Sequence, residues 1–349
     1  MKILFHIPST NTIYAGRTIY HGYKNAFLDM GHEFKELTAD DDFKQTMEKY
    51  SPDILMTSLN NYYLRYLDLD VLDSYRKNGL KVLVNIPFWD SPLSKLRVNE
   101  TPGLKDTPDH IKLLVDNRLG DIFYNVCEQD DHRMAGFTKT TGLPYYTIPL
   151  AADHLTLKPT VDSRFASDIA YIGTYLPAKR KFFKEQVFPL KKQYNLKLYG
   201  QDWTAWDRSL GLVQKIGQYF NIPGLKTIQK PKLQLNDEAK IYRTAKISIN
   251  VHEDYQKKYG GDCNERTFKI PLCGGLEITD NVACIAKYFV PNQEMIIANN
   301  KSDWFDKIDH YIHHPEEAKS IIAAGRARVL KEHTYSHRAQ KLIDLSKTK

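Results

Sequence analysis

Short apolar runs recur along the chain, separated by stretches of helical spacing or turn chemistry. "KILFHIP" (2–8) opens the series and fits a strand buried in a parallel sheet. After it, Ile19, Tyr23, Phe27 and Met30 recur at helical spacing, and Gly31 stands where a helix-ending glycine belongs. "HEFKEL" predicts a second strand, and "DILMTS" (53–58), "KVLVNIP" (81–87), "DIFYNV" (121–126) and "YYTIPL" (145–150) extend the series. Strands that alternate with helices predict a parallel sheet covered on both faces.

"PLAADHLTLKPTVDSRFASD" (149–168) is polar, carries two prolines and reads as a linker. A second alternating series follows: "DIAYIG" (168–173), a helix from about Pro177, "LKLYG" (196–200), "AKISINV" (245–251), "LEIT" (276–279) and "EMIIA" (294–298). The segment between "LKLYG" and "AKISINV" is long and reads as an added surface helix. From Ser302 the chain is helical nearly to its end. The expected organisation is therefore an N-terminal α/β domain over 1–150, a C-terminal α/β domain over 151–330 and a closing helix over 331–349 that returns to the first domain.

Composition narrows the function classes. An apolar share of 42% and a charged share of 26% are those of a soluble globular protein, and no run nears ~18 apolar residues. The N-terminus reads as a first strand and not as a signal peptide, so a cytoplasmic place is expected. Cys127, Cys263, Cys273 and Cys284 show no metal-ligand spacing and read as reduced, buried thiols. The net charge of +7 suits an anionic ligand and leaves room for peripheral contact with an acidic membrane surface. No clustered basic stripe or nucleic-acid motif stands out, so no nucleic-acid partner is expected.

Ligands of open α/β sheets gather at the carboxyl ends of strands, where helix N-termini favour anions. Four such ends carry chemistry. The first has Gly16 and Arg17 entering a helix, and the second, "NIPFWDSP" (85–92), holds Asp90. The third, "IGTYLPAKRK" (172–181), sets Gly173 at a turn with Lys179 and Arg180 beyond it. The fourth is "NVHEDYQKKYGGDCNERTFKIPLCGGLEITD" (250–280), whose glycines, Arg266 and carboxylates suit a phosphate-bearing ligand. None of these is a GxGxxG fingerprint, a Walker loop or a GxSxG elbow, which disfavours a dehydrogenase, a P-loop NTPase or an α/β-hydrolase. Taken singly, a glycine beside a cation is most often a turn with a solvated charge. Their joint appearance in both halves suggests two facing α/β domains with a cleft between them and cations on one side.

These residues also carry a family resemblance. "YRTAKISINVHED" and "NERTFKIPLCGGLEITD" resemble the "y..akI.lNih" and "R.FE...cGg.lltd" segments of GT-B glycosyltransferases, specifically the CgeB-like (spore maturation protein) branch related to retaining family 4. Asn250, Arg266, Phe268, Cys273, Gly274, Gly275 and Asp280 fall on that pattern. "DIAYIGTYLPAKRKFF", "LKLYGQDW" and the tail "EEAKSIIAAGRARVLKEHTYSHRAQKLI" resemble further segments, so the likeness covers about 168 to 345. It implies two Rossmann-like parallel-sheet domains facing across a cleft, with a helical tail returning to the N-domain. It implies catalytic roles for Arg266 and Lys179, with Asp90 on the acceptor side. Donor binding is expected of Gly16, Arg17, Gly173, Arg180, Tyr199, Gly200, Asn250, Glu265, Gly274 and Gly275.

One position departs from the family. Where its glutamate hydrogen-bonds the donor ribose, this chain has Lys269, which can only donate; either the ribose is bound elsewhere, for instance by Glu265 or Glu277, or the donor is held differently. The expectation is a transferase of polysaccharide biosynthesis that moves a sugar from a nucleotide sugar to a glycan or lipid-linked acceptor. It would need no cofactor and no metal, since the run of three aspartates, "DDD" (40–42), reads as a helix-capping run. The alternatives are a non-catalytic GT-B protein that binds nucleotide sugar or glycan, and a sugar-nucleotide epimerase.

Overall fold

The computed structural model describes residues 1–10, 14–89, 108–220, 222–226, 228 and 233–348. It divides into two compact units. One comprises Met1–Leu155, Tyr259–Glu265 and Glu332–Lys349; the other comprises Thr156–Lys258 and Arg266–Lys331.

In the first unit, β1 (Lys2–His6), β2 (Glu33–Leu37), β3 (Ile54–Ser58), β4 (Lys81–Asn85), β5 (Ile122–Asn125) and β6 (Tyr146–Thr147) form one sheet in the order β2-β1-β3-β4-β5-β6. Every pairing is parallel. Successive residues of these strands serve opposite faces, as the twofold period of a strand requires. Leu4, Leu55, Val82, Val84 and Phe123 enter one core, whereas Ile3, Phe5, Ile54, Met56, Leu83 and Ile122 enter the other. The second core is closed by the terminal helix Tyr335–Lys347, whose Tyr335, Ala339, Leu342 and Ile343 pack there. The Tyr335 ring lies 5.2 Å from that of Tyr23 on the helix Tyr14–Asp29. Arg338 anchors the same helix by donating to the carbonyls of Pro149 and Leu150. The helical tail therefore does return to the N-terminal sheet. His337 closes a capping box with Thr334 at the start of this helix.

The stretch Tyr259–Glu265, expected within the second domain, clusters with the first unit. The reason is a buried ion cluster: Arg133 donates to Asp131 at 2.7 Å and to Asp262 at 2.5 Å, with all three side chains shut off from water. The Gly261 carbonyl also accepts from the Glu128 backbone.

In the second unit, β7 (Ile169–Ile172), β8 (Leu196–Tyr199), β9 (Ile247–Asn250), β10 (Glu277–Asp280) and β11 (Ile296–Ala298) form a parallel sheet in the order β11-β10-β9-β7-β8. Helices Lys301–His313 and Ala318–Glu332 follow, and Trp304, Ile308 and Ile321 pack on the sheet core. The long segment after β8 holds the helix Ala205–Tyr219, as the sequence suggests. The four cysteines are free thiols, all buried. Among the described residues no helix is long and apolar enough to cross a membrane.

Candidate active site

The order β8-β7-β9-β10 makes the gap between β7 and β9 the switch point of the second sheet, where chain connections diverge to opposite sides. The residues that leave the carboxyl ends of these two strands build the site. After β7 the chain makes a single 3-10 turn, Pro177–Lys179, which aims Lys179 inward. Lys179 is 5% exposed and donates its Nζ to the Val251 carbonyl at 2.9 Å. Its neighbour Arg180 points the other way, exposed, over the Tyr175 ring. Of the two adjacent cations, only Lys179 reaches the strand end.

Arg266 is the first residue of the helix Arg266–Leu272 and is 7% exposed. It donates Nη2 to the same Val251 carbonyl at 3.3 Å and Nε to the Asn250 side-chain oxygen at 3.0 Å, with its guanidinium over the Tyr171 ring. Asn250, the last residue of β9, is fully buried. Its amide donates to Glu277 at 2.8 Å and to Thr267 at 3.1 Å, so both amide hydrogens are used. Burial pushes the Glu277 carboxyl up to about 8, against the pull of Asn250 and Arg266. It is therefore mostly protonated at neutral pH, and a neutral group holds the residue that holds Arg266.

Next to this lies His252, with 1% exposure. Asp280, which ends β10, accepts from the His252 backbone N–H at 3.0 Å and faces Nδ1 at 2.7 Å. A carboxylate only accepts, so Nδ1 carries the proton. Burial pushes the imidazole pKa down. The ring is neutral as a result, and Nε2 accepts from the Thr267 hydroxyl at 3.3 Å. For Asp280 burial pushes the pKa up, but His252, Lys257 and the backbone bond outweigh it and hold the carboxyl below its ordinary value.

Gly173, Tyr199 and Gly200 meet at the ends of β7 and β8. The Gly173 N–H donates to the Tyr199 carbonyl at 2.9 Å. Gly200 has φ +112°, and a Cβ there would overlap the Gly173 carbonyl oxygen. Only glycine permits that approach. Trp203 closes over the pair by donating Nε1 to the Gly173 and Tyr199 carbonyls. The sequence set this tryptophan within the resembled segment "LKLYGQDW" but gave it no role.

Gly274 and Gly275 end the Arg266–Leu272 helix by donating to the Pro271 and Ile270 carbonyls. They precede β10 and so stand at its N-terminal edge, opposite Asn250. The close approach that Gly275 allows is to the Tyr242 carbonyl, whose oxygen lies 2.6 Å from where a Cβ would stand. Gly16 and Arg17 lie in the first turn of the helix Tyr14–Asp29, and Glu265 clusters with the same first unit. Asp90 lies outside the described residues. Lys269 turns away from the strand ends into a buried ion pair with Glu238, Nζ to Oε1 2.5 Å.

The first unit has a switch point of its own between β1 and β3, where sequence reasoning named Gly16 and Arg17 and missed His6. His6, at the end of β1, is buried with Nδ1 3.0 Å from the Thr57 hydroxyl and its ring edge-on to Tyr63. Burial pushes its pKa down to about 4. Its Nε2 has no hydrogen-bond partner among the described residues.

Comparison with known proteins finds likeness in sequence and in fold. A family model described as glycosyl transferase-like matches residues 179–344, a span that begins at Lys179 and includes Asn250 and Arg266. The spore protein CgeB of Bacillus subtilis is 24% identical over 255 residues, which cover 68% of this chain and 75% of that protein. The structure of an alpha-glucosyltransferase in complex with UDP and a 13-mer DNA containing a HMU base superposes with a TM-score of 0.66 at 13% identity, covering 100% of both chains. Sucrose-phosphate synthase from Thermosynechococcus elongatus gives 0.62 at 12% identity, covering 99% of this chain and 98% of that one. The fold is GT-B, and the resemblance drawn from the sequence is borne out. The DNA held by the first of these structures leaves the expected absence of a nucleic-acid partner without support.

Proposed function

We propose that this protein is a glycosyltransferase that moves a sugar from a nucleotide-diphosphate donor to a glycan or lipid-linked acceptor, with retention and without a metal. The observation that carries the reading is the convergence of Lys179 and Arg266 on the Val251 carbonyl at the β7–β9 switch point. Two buried cations that share one acceptor repel one another, and a diphosphate placed against them relieves that repulsion. In the transfer, the bond from the anomeric carbon to the β-phosphate oxygen breaks. The acceptor oxygen bonds to that carbon and its proton is released. Negative charge therefore builds on the departing diphosphate, where fixed cations stabilise the transition state more than the ground state. The guanidinium fork suits a phosphate edge, and the ammonium acts as a point charge beside it. Retention rests on the family likeness.

The test is a panel of UDP-, GDP- and ADP-sugars offered with glycan, lipid-linked and DNA acceptors, with nucleotide release and product followed together. Release that rises with one acceptor supports transfer, and the DNA arm decides whether nucleic acid is an acceptor. The second reading is a GT-B protein that binds without turnover. It is favoured by Lys269, which stands where the resembled family has its ribose-binding glutamate and is engaged with Glu238. Donor binding without release in every arm would favour it over transfer, and interconverted donor would indicate an epimerase.

A further inference from the structure

A cavity of about 680 Å³ opens on the second unit at the edge of the sheet opposite the switch-point cations. Its lining includes Lys246 and Leu276, which directly precede β9 and β10, whereas Asn250 and Asp280 end those strands. Four residues of strand, at about 3.3 Å each, put roughly 10–13 Å between the two edges. One small ligand does not serve both.

The lining charges have one sign. Arg243, Lys246, Lys319 and Arg326 all face the cavity, and among the described residues no Asp or Glu lines it. Lys246 and Lys319 pair with carboxylates outside the lining, Asp168 at 2.7 Å and Glu316 at 2.5 Å. The two arginines bracket one loop: Arg243 donates Nη1 to the Gly274 carbonyl at 3.1 Å, and Arg326 donates Nε to the Leu272 carbonyl at 3.2 Å. Among the described residues each guanidinium is thereby oriented through a single nitrogen, which leaves its remaining donors to an incoming ligand. Capping a helix C-terminus explains one cation and not four. Leu276, Ile322 and the Tyr311 ring add an apolar wall. The volume falls in the range of small-molecule sites, which pair apolar walls with a few placed polar groups.

We propose that this cavity is a second anion site, which takes a small organic phosphate between Arg243 and Arg326. The phosphate sits in the two planar donor forks, Lys246 and Lys319 raise the local potential, and the organic body lies against Leu276, Ile322 and Tyr311. The site is separate from the donor reading above and does not depend on it.

Calorimetric titration of the full chain with glucose 6-phosphate tests the proposal, with glucose as the uncharged control. The expected result is binding of the phosphate and not of glucose. The Arg243→Gln/Arg326→Gln pair should weaken it at least about tenfold, as loss of charge-assisted bonds implies. Because those arginines also hold the Leu272–Gly274 loop, Lys319→Glu provides an arm in which folding is not at risk: that side chain is largely exposed. Lys319→Glu should weaken binding by about three- to tenfold and flatten its salt dependence. Arg266→Ala marks the other edge of the sheet and should leave the affinity unchanged. Binding lost in Arg266→Ala, unaltered in Lys319→Glu, or absent from the wild-type protein would overturn the assignment.

Discussion

Lys179 and Arg266 donate to one acceptor, the Val251 carbonyl, at 2.9 and 3.3 Å. They come from segments 87 positions apart in sequence, and the parallel pairing of β7 with β9 brings them together. That shared acceptor fixes both cations before any ligand arrives, which is the preorganisation that electrostatic catalysis requires.

Arg266→Ala should therefore lower kcat by about 10²–10³, the usual effect of removing one transition-state electrostatic partner. Arg266→Lys should recover only part of the rate, because a point charge replaces a planar fork. Steady-state kinetics on a folded variant checks this. A kcat and donor KM near those of the wild type would remove Arg266 from the mechanism.

Nucleoside diphosphate should stabilise the protein, by about 2.7 kcal/mol at a hundredfold excess over Kd. The effect should be much smaller in Lys179→Ala, where the paired cations are reduced to one. Thermal melts with and without UDP or ADP measure it. Equal stabilisation of both proteins would place the diphosphate elsewhere.

Lys269 and Glu238 form a buried pair at 2.5 Å, with side chains only 5% and 10% exposed. Lys269→Met should destabilise the fold by about 3–5 kcal/mol, because Glu238 is left as a buried charge without its partner. Lys269→Met combined with Glu238→Gln should recover most of that loss. Urea unfolding of the two single variants and the double variant gives the coupling directly, and additive effects would contradict it.

Glu277 makes stability depend on pH. Its carboxyl is raised from 4.5 to about 8 in the folded protein, so between those values the folded state holds a proton that the unfolded state has lost. Its contribution to stability falls as pH rises through that window, by at most about 1.4 kcal/mol per unit. Glu277→Gln cannot titrate and should show a flatter profile between roughly pH 5 and pH 8. Denaturation midpoints across that range decide, and unchanged slopes would assign the proton elsewhere.

Turnover should survive chelation, since Lys179 and Arg266 already supply positive charge where the diphosphate departs. Among the described residues no three His, Cys, Asp or Glu side chains gather as a metal-binding group. Assay in EDTA checks this. Loss of activity that magnesium or manganese restores would show that a metal takes part.

The strand pattern was legible in the sequence because burial on both faces leaves continuous apolar runs such as "KILFHIP" and "AKISINV", which became β1 and β9. The strand-end loops were legible for the same reason, since a polar, glycine-bearing stretch after such a run leaves the sheet at its carboxyl edge. Direction was not. Lys179 and Arg180 are adjacent cations in the sequence, and only the 3-10 turn at Pro177–Lys179 sends one inward and the other to solvent. Gly274 and Gly275 looked like a phosphate approach, yet their place before β10 sets them at the opposite edge, against Tyr242. Lys269 looked like a lost ribose contact, and Glu238, 31 positions earlier, is what it found instead. Local composition determined which segments become strands, helices and loops, because propensity and periodicity act over a few residues. Which charge meets which partner was decided by the order of strands in the sheet, because that order sets contacts between residues far apart in the chain.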